Sequence, residues 1–199
     1  MLERLSKVIY YRSRETTFGR SRPNPAAIQK LTAGTKAVFP SGIAAANLLG
    51  FTTQTAKRGE VSTSALSLPR KPIGDDTIVH TRGPAVWEEL SETDAALLDF
   101  LRQGGKTSEL SPEKTIQRTM MLLSEKHRFE RLLKVADSEP LRVRAILGAM
   151  AQKPGTPPAR LTRPRDSLNP LSRFDFGLFS GLSYARNWQA KERRAHETV

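Results

Sequence analysis

The chain contains no cysteine among its 199 residues. This absence excludes a disulfide framework and thiolate metal sites, and it fits a reducing compartment. The sequence also has no run of about 18 apolar residues, which a membrane-spanning helix would need. Its first residues lack the apolar stretch that is typical of a signal peptide. We therefore expect a cytoplasmic protein that does not span a membrane.

Common motifs for nucleotide binding and for nucleophilic catalysis are missing too. The sequence has no Gly-x-x-x-x-Gly-Lys-Ser/Thr loop, no Gly-x-Gly-x-x-Gly fingerprint and no Gly-x-Ser-x-Gly elbow. Its three histidines, His80, His127 and His196, have no second metal ligand at a suitable spacing. The adjacent Asp75 and Asp76 are better explained by a turn. We expect no enzymatic activity, no cofactor and no bound metal.

Charge is present but unevenly distributed. Residues 1–36 hold eight Lys or Arg and two acids, and residues 153–194 hold nine Lys or Arg and three acids, so each stretch has a net charge of +6. Residues 37–152 hold fifteen bases and fourteen acids, so the net charge of +12 belongs to the ends. Basic ends suit a phosphate-rich partner such as DNA or RNA, or an acidic protein. Solvated arms on a soluble protein are the alternative.

Hydrophobic patterning predicts an α+β fold in which three to four short helices pack on a small antiparallel or mixed sheet. Strands are predicted at 37–39, 60–64 and 77–81. Helical periodicity begins after Ser91 and continues in three further segments to Met150. Ser91 followed by Asp94 is a capping-box pattern, and Ser111-Pro112 is a second helix start.

The composition divides the chain into five parts. Residues 1–36 form a basic N-terminal segment with a β-prone run and a predicted helix at 26–31, and residues 37–152 form the α+β core. Residues 153–169 are rich in Pro and Arg and are interpreted as a linker or surface arm, because proline blocks regular structure. Residues 170–190 form an aromatic, helical segment that we expect to dock on the core or on a partner. Residues 191–199 form a tail.

A Pro-Ser-Gly corner joins a predicted strand to a small-residue helix within FPSGIAAANLLGF, from Phe39 to Phe51. Ser41 is a good N-cap, and Gly50 is a good helix stop. The sequence identifies no partner histidine for Ser41. We therefore interpret Ser41 as a helix cap rather than a nucleophile.

Three stretches together resemble the AbiEi-type antitoxins of bacterial type IV toxin–antitoxin (abortive-infection) systems. They are KVIYYRSRETTFGRSRPNPAAIQKL from Lys7 to Leu31, the Pro-Ser-Gly stretch, and SLNPLSRFDFGLFSGLSYARNW from Ser167 to Trp188. The resemblance is spread over nearly the whole chain, and none of the stretches is a catalytic signature.

The resemblance implies a non-enzymatic antitoxin that takes part in phage defence and counteracts an AbiEii-type nucleotidyltransferase toxin. Members of the family usually begin with a DNA-binding winged helix-turn-helix that can serve as a transcriptional regulator. Only a strand like its last one is found here, at Lys7 to Tyr11. We expect a natural short version, a mis-started reading frame or a fragment, in which operator binding is in doubt.

Two sets of residues are candidates for binding. The first is basic and would contact nucleic-acid phosphates without reading bases: Lys7, Arg12, Arg14, Arg20 and Arg22. The second places opposite charges between aromatics, as a partner interface would: Arg173, Phe174, Asp175 and Phe176. The alternative for the second set is that its phenylalanines complete the core while its charges lie outside. The alternative function for the whole chain is a basic module that binds DNA or RNA phosphates.

Overall fold

A computed structural model describes residues 2–4, 10–12, 15–16, 19–20, 38–64, 77–81, 85–152, 154 and 158–192. These residues form an α+β fold, as the sequence predicts, with a small mixed sheet packed by helices. The helix predicted at 26–31 and the turn predicted at 74–76 lie outside the described residues.

Two short hairpins come before the main sheet. Strand β1 (Leu2–Arg4) pairs antiparallel with β2 (Tyr10–Arg12), and β3 (Glu15–Thr16) pairs antiparallel with β4 (Gly19–Arg20). The run predicted as a strand from Lys7 to Tyr11 overlaps β2 at Tyr10 and Tyr11, and residues 7–9 lie outside the described residues.

The main sheet has the order β5–β6–β7, with β5 at Val38–Pro40, β6 at Glu60–Thr63 and β7 at Ile78–Thr81. The central strand β6 is antiparallel to β5 and parallel to β7. Both faces of the central strand β6 are buried, whereas the edge strand β7 is partly exposed.

Six α-helices are formed by the described residues: α1 (Gly42–Leu48), α2 (Glu92–Arg102), α3 (Pro112–Ser124), α4 (Arg128–Val135), α5 (Leu141–Ala151) and α6 (Pro158–Asp166). Short 3-10 turns connect or follow them at Ala85–Glu89, Glu125–His127, Ala136–Ser138, Gly177–Gly181 and Arg186–Trp188. The aromatic segment predicted to be helical thus contains two 3-10 turns.

Local capping explains where α2 and α3 begin and where α2 ends. Ser91 Oγ accepts a hydrogen bond from Asp94 N at 3.1 Å, and Ser111 Oγ accepts one from Lys114 N at 3.3 Å. At the end of α2, Gly104 and Gly105 have positive φ angles, which favour glycine. The starts of α2 and α3 and the end of α2 are therefore determined by residues that are close together in the sequence.

The prediction of an irregular linker over 153–169 is wrong for Pro158–Asp166, which form α6. Pro158 stands at the first position of this helix, where a missing N–H costs nothing. Leu161 and Pro164 are both buried, as is Leu168 just beyond the helix. Their spacing of three and four residues gives α6 an apolar face, whose burial outweighs the proline inside the helix.

Three phenylalanines connect the core from the Pro-Ser-Gly stretch to the C-terminal segment. The Phe51 and Phe100 rings stack with centroids 4.0 Å apart, and Phe179 meets Phe100 edge-on at 6.0 Å. All three side chains are buried. Distant parts of the sequence therefore share one core.

Two buried carboxylates connect the helices. Glu139 accepts hydrogen bonds from Trp87 Nε1 at 2.9 Å and from Arg102 Nε at 2.6 Å. Asp94 accepts from Arg128 Nε at 2.9 Å and from Arg131 Nε at 3.0 Å. Each charge is paired and hydrogen-bonded, as burial of a carboxylate requires.

Ser41 occupies the N-cap position of α1, as predicted, but its side chain makes no capping bond. Asp99 of α2 performs this role instead, because its Oδ2 accepts a hydrogen bond from Gly42 N at 2.9 Å. Asp99 is buried and also accepts a bond from Gln103 Nε2 at 2.9 Å. Its negative charge lies at the positive end of α1.

We predict that Asp99→Ala lowers the free energy of unfolding by about 2 to 3 kcal/mol, because Gly42 N loses a charged acceptor inside the protein. Chemical denaturation measures the loss. The matched control is Ser41→Ala, which would cost about 1 kcal/mol if the serine hydroxyl capped the helix. We expect a change below about 0.5 kcal/mol for this control. A larger loss for Ser41→Ala than for Asp99→Ala would contradict the assignment.

Candidate functional site

The Pro-Ser-Gly corner is held against the central strand by its backbone. Ser41 N donates a hydrogen bond to Glu60 O at 3.0 Å. Gly42 has a φ of 60°, and a Cβ at this position would overlap the Glu60 carboxylate. The positive φ angle therefore favours glycine at the corner, whereas the overlapping Glu60 side chain is flexible enough to move.

A histidine–glutamate pair lies beside this corner. His80 Nε2 is 2.6 Å from Glu60 Oε1, and both side chains are partly exposed. Ser41 is buried, and its Oγ has no hydrogen-bond partner among the described residues. A catalytic serine needs a base within hydrogen-bond reach. Among the residues that the structure describes, no base lies within hydrogen-bond reach of the Ser41 hydroxyl.

The other end of α1 is closed by a glycine and an arginine. Gly50 N donates to Asn47 O at 2.9 Å and Phe51 N donates to Ala46 O at 2.8 Å, which is the Schellman pattern. Arg118 Nε of α3 donates to Leu49 O at 2.7 Å. Its positive charge therefore lies at the negative end of α1.

Glu109 holds the segment that follows this helix. Its Oε2 accepts hydrogen bonds from Thr52 Oγ1 at 2.7 Å and from Thr53 N at 2.9 Å, while Oε1 accepts from Gln54 Nε2 at 2.8 Å. The bond from Thr52 is the largest cause that lowers the Glu109 pKa below its ordinary value of 4.5. The Thr-Thr-Gln segment is thereby held by an ionised carboxylate.

The C-terminal segment lies against the helices. Phe176, Phe179 and Trp188 are buried, and Trp188 Nε1 donates to Gln152 Oε1 at 2.8 Å. Phe174 is half-buried, and its backbone pairs with Gln189 and Lys191 at 2.8 Å. Of the four residues predicted at a partner interface, Phe176 therefore belongs to the core.

Arg173 and Asp175 are exposed, and they follow a turn that presents Leu171 to solvent. The Leu171 side chain is 89% exposed. Asn169 Oδ1 accepts a hydrogen bond from Leu171 N at 3.0 Å, and Asn169 O accepts one from Ser172 N at 3.0 Å. Arg173 Nη1 donates to Pro170 O at 3.1 Å and to Ser172 O at 3.0 Å. Leu171 is thus an exposed apolar side chain on a well-braced turn.

Sequence reasoning did not single out Leu171. The Asn169-Pro170 pair that precedes it is a turn signal, so a solvent-facing position could have been predicted there. The interface was instead predicted at Phe174 and Phe176, because these residues are aromatic. Leu171, Arg173 and Asp175 are three of the exposed residues of the segment, and we call them the C-terminal turn surface.

The basic residues predicted to contact nucleic acid are mostly not placed. Arg12 ends strand β2 and Arg20 ends strand β4. Lys7, Arg14 and Arg22 lie outside the described residues. Their binding role stays a prediction.

No cluster of three or more His, Cys, Asp or Glu side chains within the described ranges could hold a metal ion. Among the helices formed by these residues, none combines the length and apolar character that a membrane crossing requires.

Comparison with known proteins gives no match: no family model, curated protein or solved structure is significantly similar to this chain.

We predict that Glu109→Gln lowers the stability, and that the difference from the unchanged protein disappears in acid. Because the folded-state pKa of Glu109 is below 4.5, its stabilisation is fully present above that pH and is lost as the pH falls through the folded-state pKa. Denaturant unfolding at a series of pH values measures the difference. Thr52→Val removes the largest cause that lowers the Glu109 pKa, so the stabilisation by Glu109 should be lost at a higher pH in this variant. A difference that does not change with pH would contradict the assignment.

We predict that Phe176→Ala lowers the free energy of unfolding by about 3 to 5 kcal/mol, because the ring fills part of the core. The matched variant Arg173→Ala is expected to change it by less than about 0.5 kcal/mol, since this side chain lies on the surface. Thermal and denaturant unfolding measure both. Equal losses for the two variants would mean that Phe176 does not belong to the core.

Proposed function

We propose that this chain is the antitoxin of a type IV toxin–antitoxin system. It acts as a non-enzymatic regulator in the cytoplasm and counteracts an AbiEii-like nucleotidyltransferase toxin. Transcriptional autoregulation would require a winged helix-turn-helix encoded upstream.

One observation supports the proposal beyond the resemblance itself. Phe51 comes from the Pro-Ser-Gly stretch and Phe179 from the C-terminal stretch, and both rings contact Phe100. Residues that carry the resemblance are far apart in sequence yet share one core. Sequence stretches that are characteristic of one domain are expected to pack in the same core, since core positions determine how a domain packs.

The geometry around the corner is compatible with a non-enzymatic role. Gly42, Gly50 and Asp99 are explained by backbone conformation and helix capping. Function in a chain of this kind is therefore expected on its surface rather than in a catalytic cleft. The basic ends would supply the contacts in the alternative function, which is phosphate binding without sequence preference.

The test is growth of a bacterial host that expresses the neighbouring nucleotidyltransferase-like gene, with and without this chain. We expect restored growth with the unchanged chain. Phe100→Asp breaks the aromatic stack and should abolish rescue, which would show that the folded protein acts rather than its transcript. Met121→Gln changes an exposed side chain on α3 and should preserve rescue.

Failure to rescue by a soluble, folded chain would overturn the antitoxin proposal. The affinity for DNA and RNA would then be measured at several salt concentrations. A linear fall of log affinity with log salt would support the phosphate-binding alternative.

A further inference from the structure

A groove of about 410 Å³ lies between the start of α3 and the C-terminal segment. Part of its lining is apolar and is contributed by Pro112, Leu178, Ala185 and Ala190. This volume lies within the range of about 300 to 1,000 Å³ that is usual for binding pockets. The groove is therefore large enough for a small molecule that carries an apolar group.

Charges of both signs line this groove, with cations at Arg186 and Lys191 and carboxylates at Glu113 and Glu192. Arg186 Nη2 lies 3.7 Å from Glu192 Oε1, so these two charges offset each other. Lys191 and Glu113 pair neither with each other nor with any other side chain in the described part of the chain. The groove therefore presents one positive and one negative charge that no described ion pair neutralises.

Local hydrogen bonds hold the residues that carry these two charges. Lys191 N donates to Phe174 O at 2.8 Å, which fixes the backbone on one side of the groove. Glu113 stands in the first turn of α3. A hydrogen bond from its own backbone and one from the Ser111 side chain hold the Glu113 pKa below its ordinary value of 4.5. The Glu113 carboxylate is therefore ionised at neutral pH, as the Lys191 ammonium is.

We propose that the groove binds an α-amino acid with an apolar side chain in its zwitterionic form. The ligand carboxylate pairs with the Lys191 ammonium, and the ligand ammonium pairs with the Glu113 carboxylate. The apolar side chain of the ligand packs on Leu178, Ala185 and Ala190, since its removal from water is favourable. A ligand with a single charge fits less well, because Lys191 repels a cation and Glu113 repels an anion. This site does not depend on the antitoxin function.

Titration of the full chain with leucine, followed by the NMR shifts of its backbone amides, tests the site. We expect shift changes at Leu178, Ala185 and Ala190 and a dissociation constant on the order of 1 mM, since exposed charge pairs are weak. N-acetyl-leucine lacks the ammonium and leucinamide lacks the carboxylate, so each should bind about threefold more weakly. No shift changes at these three amides, or equal binding of leucine and either derivative, would overturn the proposal.

Two charge-removing variants test which protein group holds which end of the ligand. Lys191→Gln should weaken the binding of leucine about threefold without weakening that of leucinamide. Glu113→Gln should weaken leucine to a similar extent without weakening N-acetyl-leucine. Lys114→Gln is the matched control and should leave the affinity unchanged, because Lys114 is exposed next to Glu113 but does not line the groove. Equal effects of Lys114→Gln and Lys191→Gln would overturn the assigned contacts.

A comparison of leucine with glycine tests the apolar part of the groove. Glycine carries the same two charges but has no side chain to pack on Leu178, Ala185 and Ala190. We expect glycine to bind at least about fivefold more weakly than leucine in the same NMR titration. Equal affinities for the two amino acids would show that the apolar lining takes no part, and this would overturn the proposed ligand class.

Discussion

A buried carboxylate, that of Asp99, joins the start of helix α1 to helix α2. Removing a charge from water costs several kcal/mol. This cost must be offset by hydrogen-bond donors in good geometry. Gly42 N and Gln103 Nε2 are two such donors, and the first of them determines where α1 begins. Ser41 N then bonds to the central strand at Glu60. The sheet, α1 and α2 are thereby held in one arrangement.

The rest of the core follows from that arrangement. Once α1 is placed, its end brings Phe51 onto Phe100, and Phe100 receives Phe179. Glu139 and Asp94 connect the other helices in the same way as Asp99, with several donors for each buried carboxylate. Paired buried charges add little net stability, but they penalise any packing that leaves one of them without its donors.

This organisation separates the residues that build the core from the residues available for binding. The Pro-Ser-Gly corner and the phenylalanines of the C-terminal stretch are explained by packing and backbone geometry. Leu171 and Arg173 belong to the same C-terminal stretch but face solvent. A surface turn supported by core residues on both sides is held rigidly, which favours recognition because less conformational entropy is lost on binding.

Much of the architecture could be predicted from the sequence, because it depends on neighbouring residues. Ser91, Ser111 and Gly104 define helix ends through bonds within a few positions, and β-branched runs gave the strands of the mixed sheet. Only the tertiary structure assigned the cap of α1 to Asp99, made a helix of the proline-rich stretch at Pro158–Asp166, and divided the C-terminal stretch into buried Phe176 and exposed Leu171. These outcomes depend on contacts between distant segments, whose burial and hydrogen bonds outweigh local propensity.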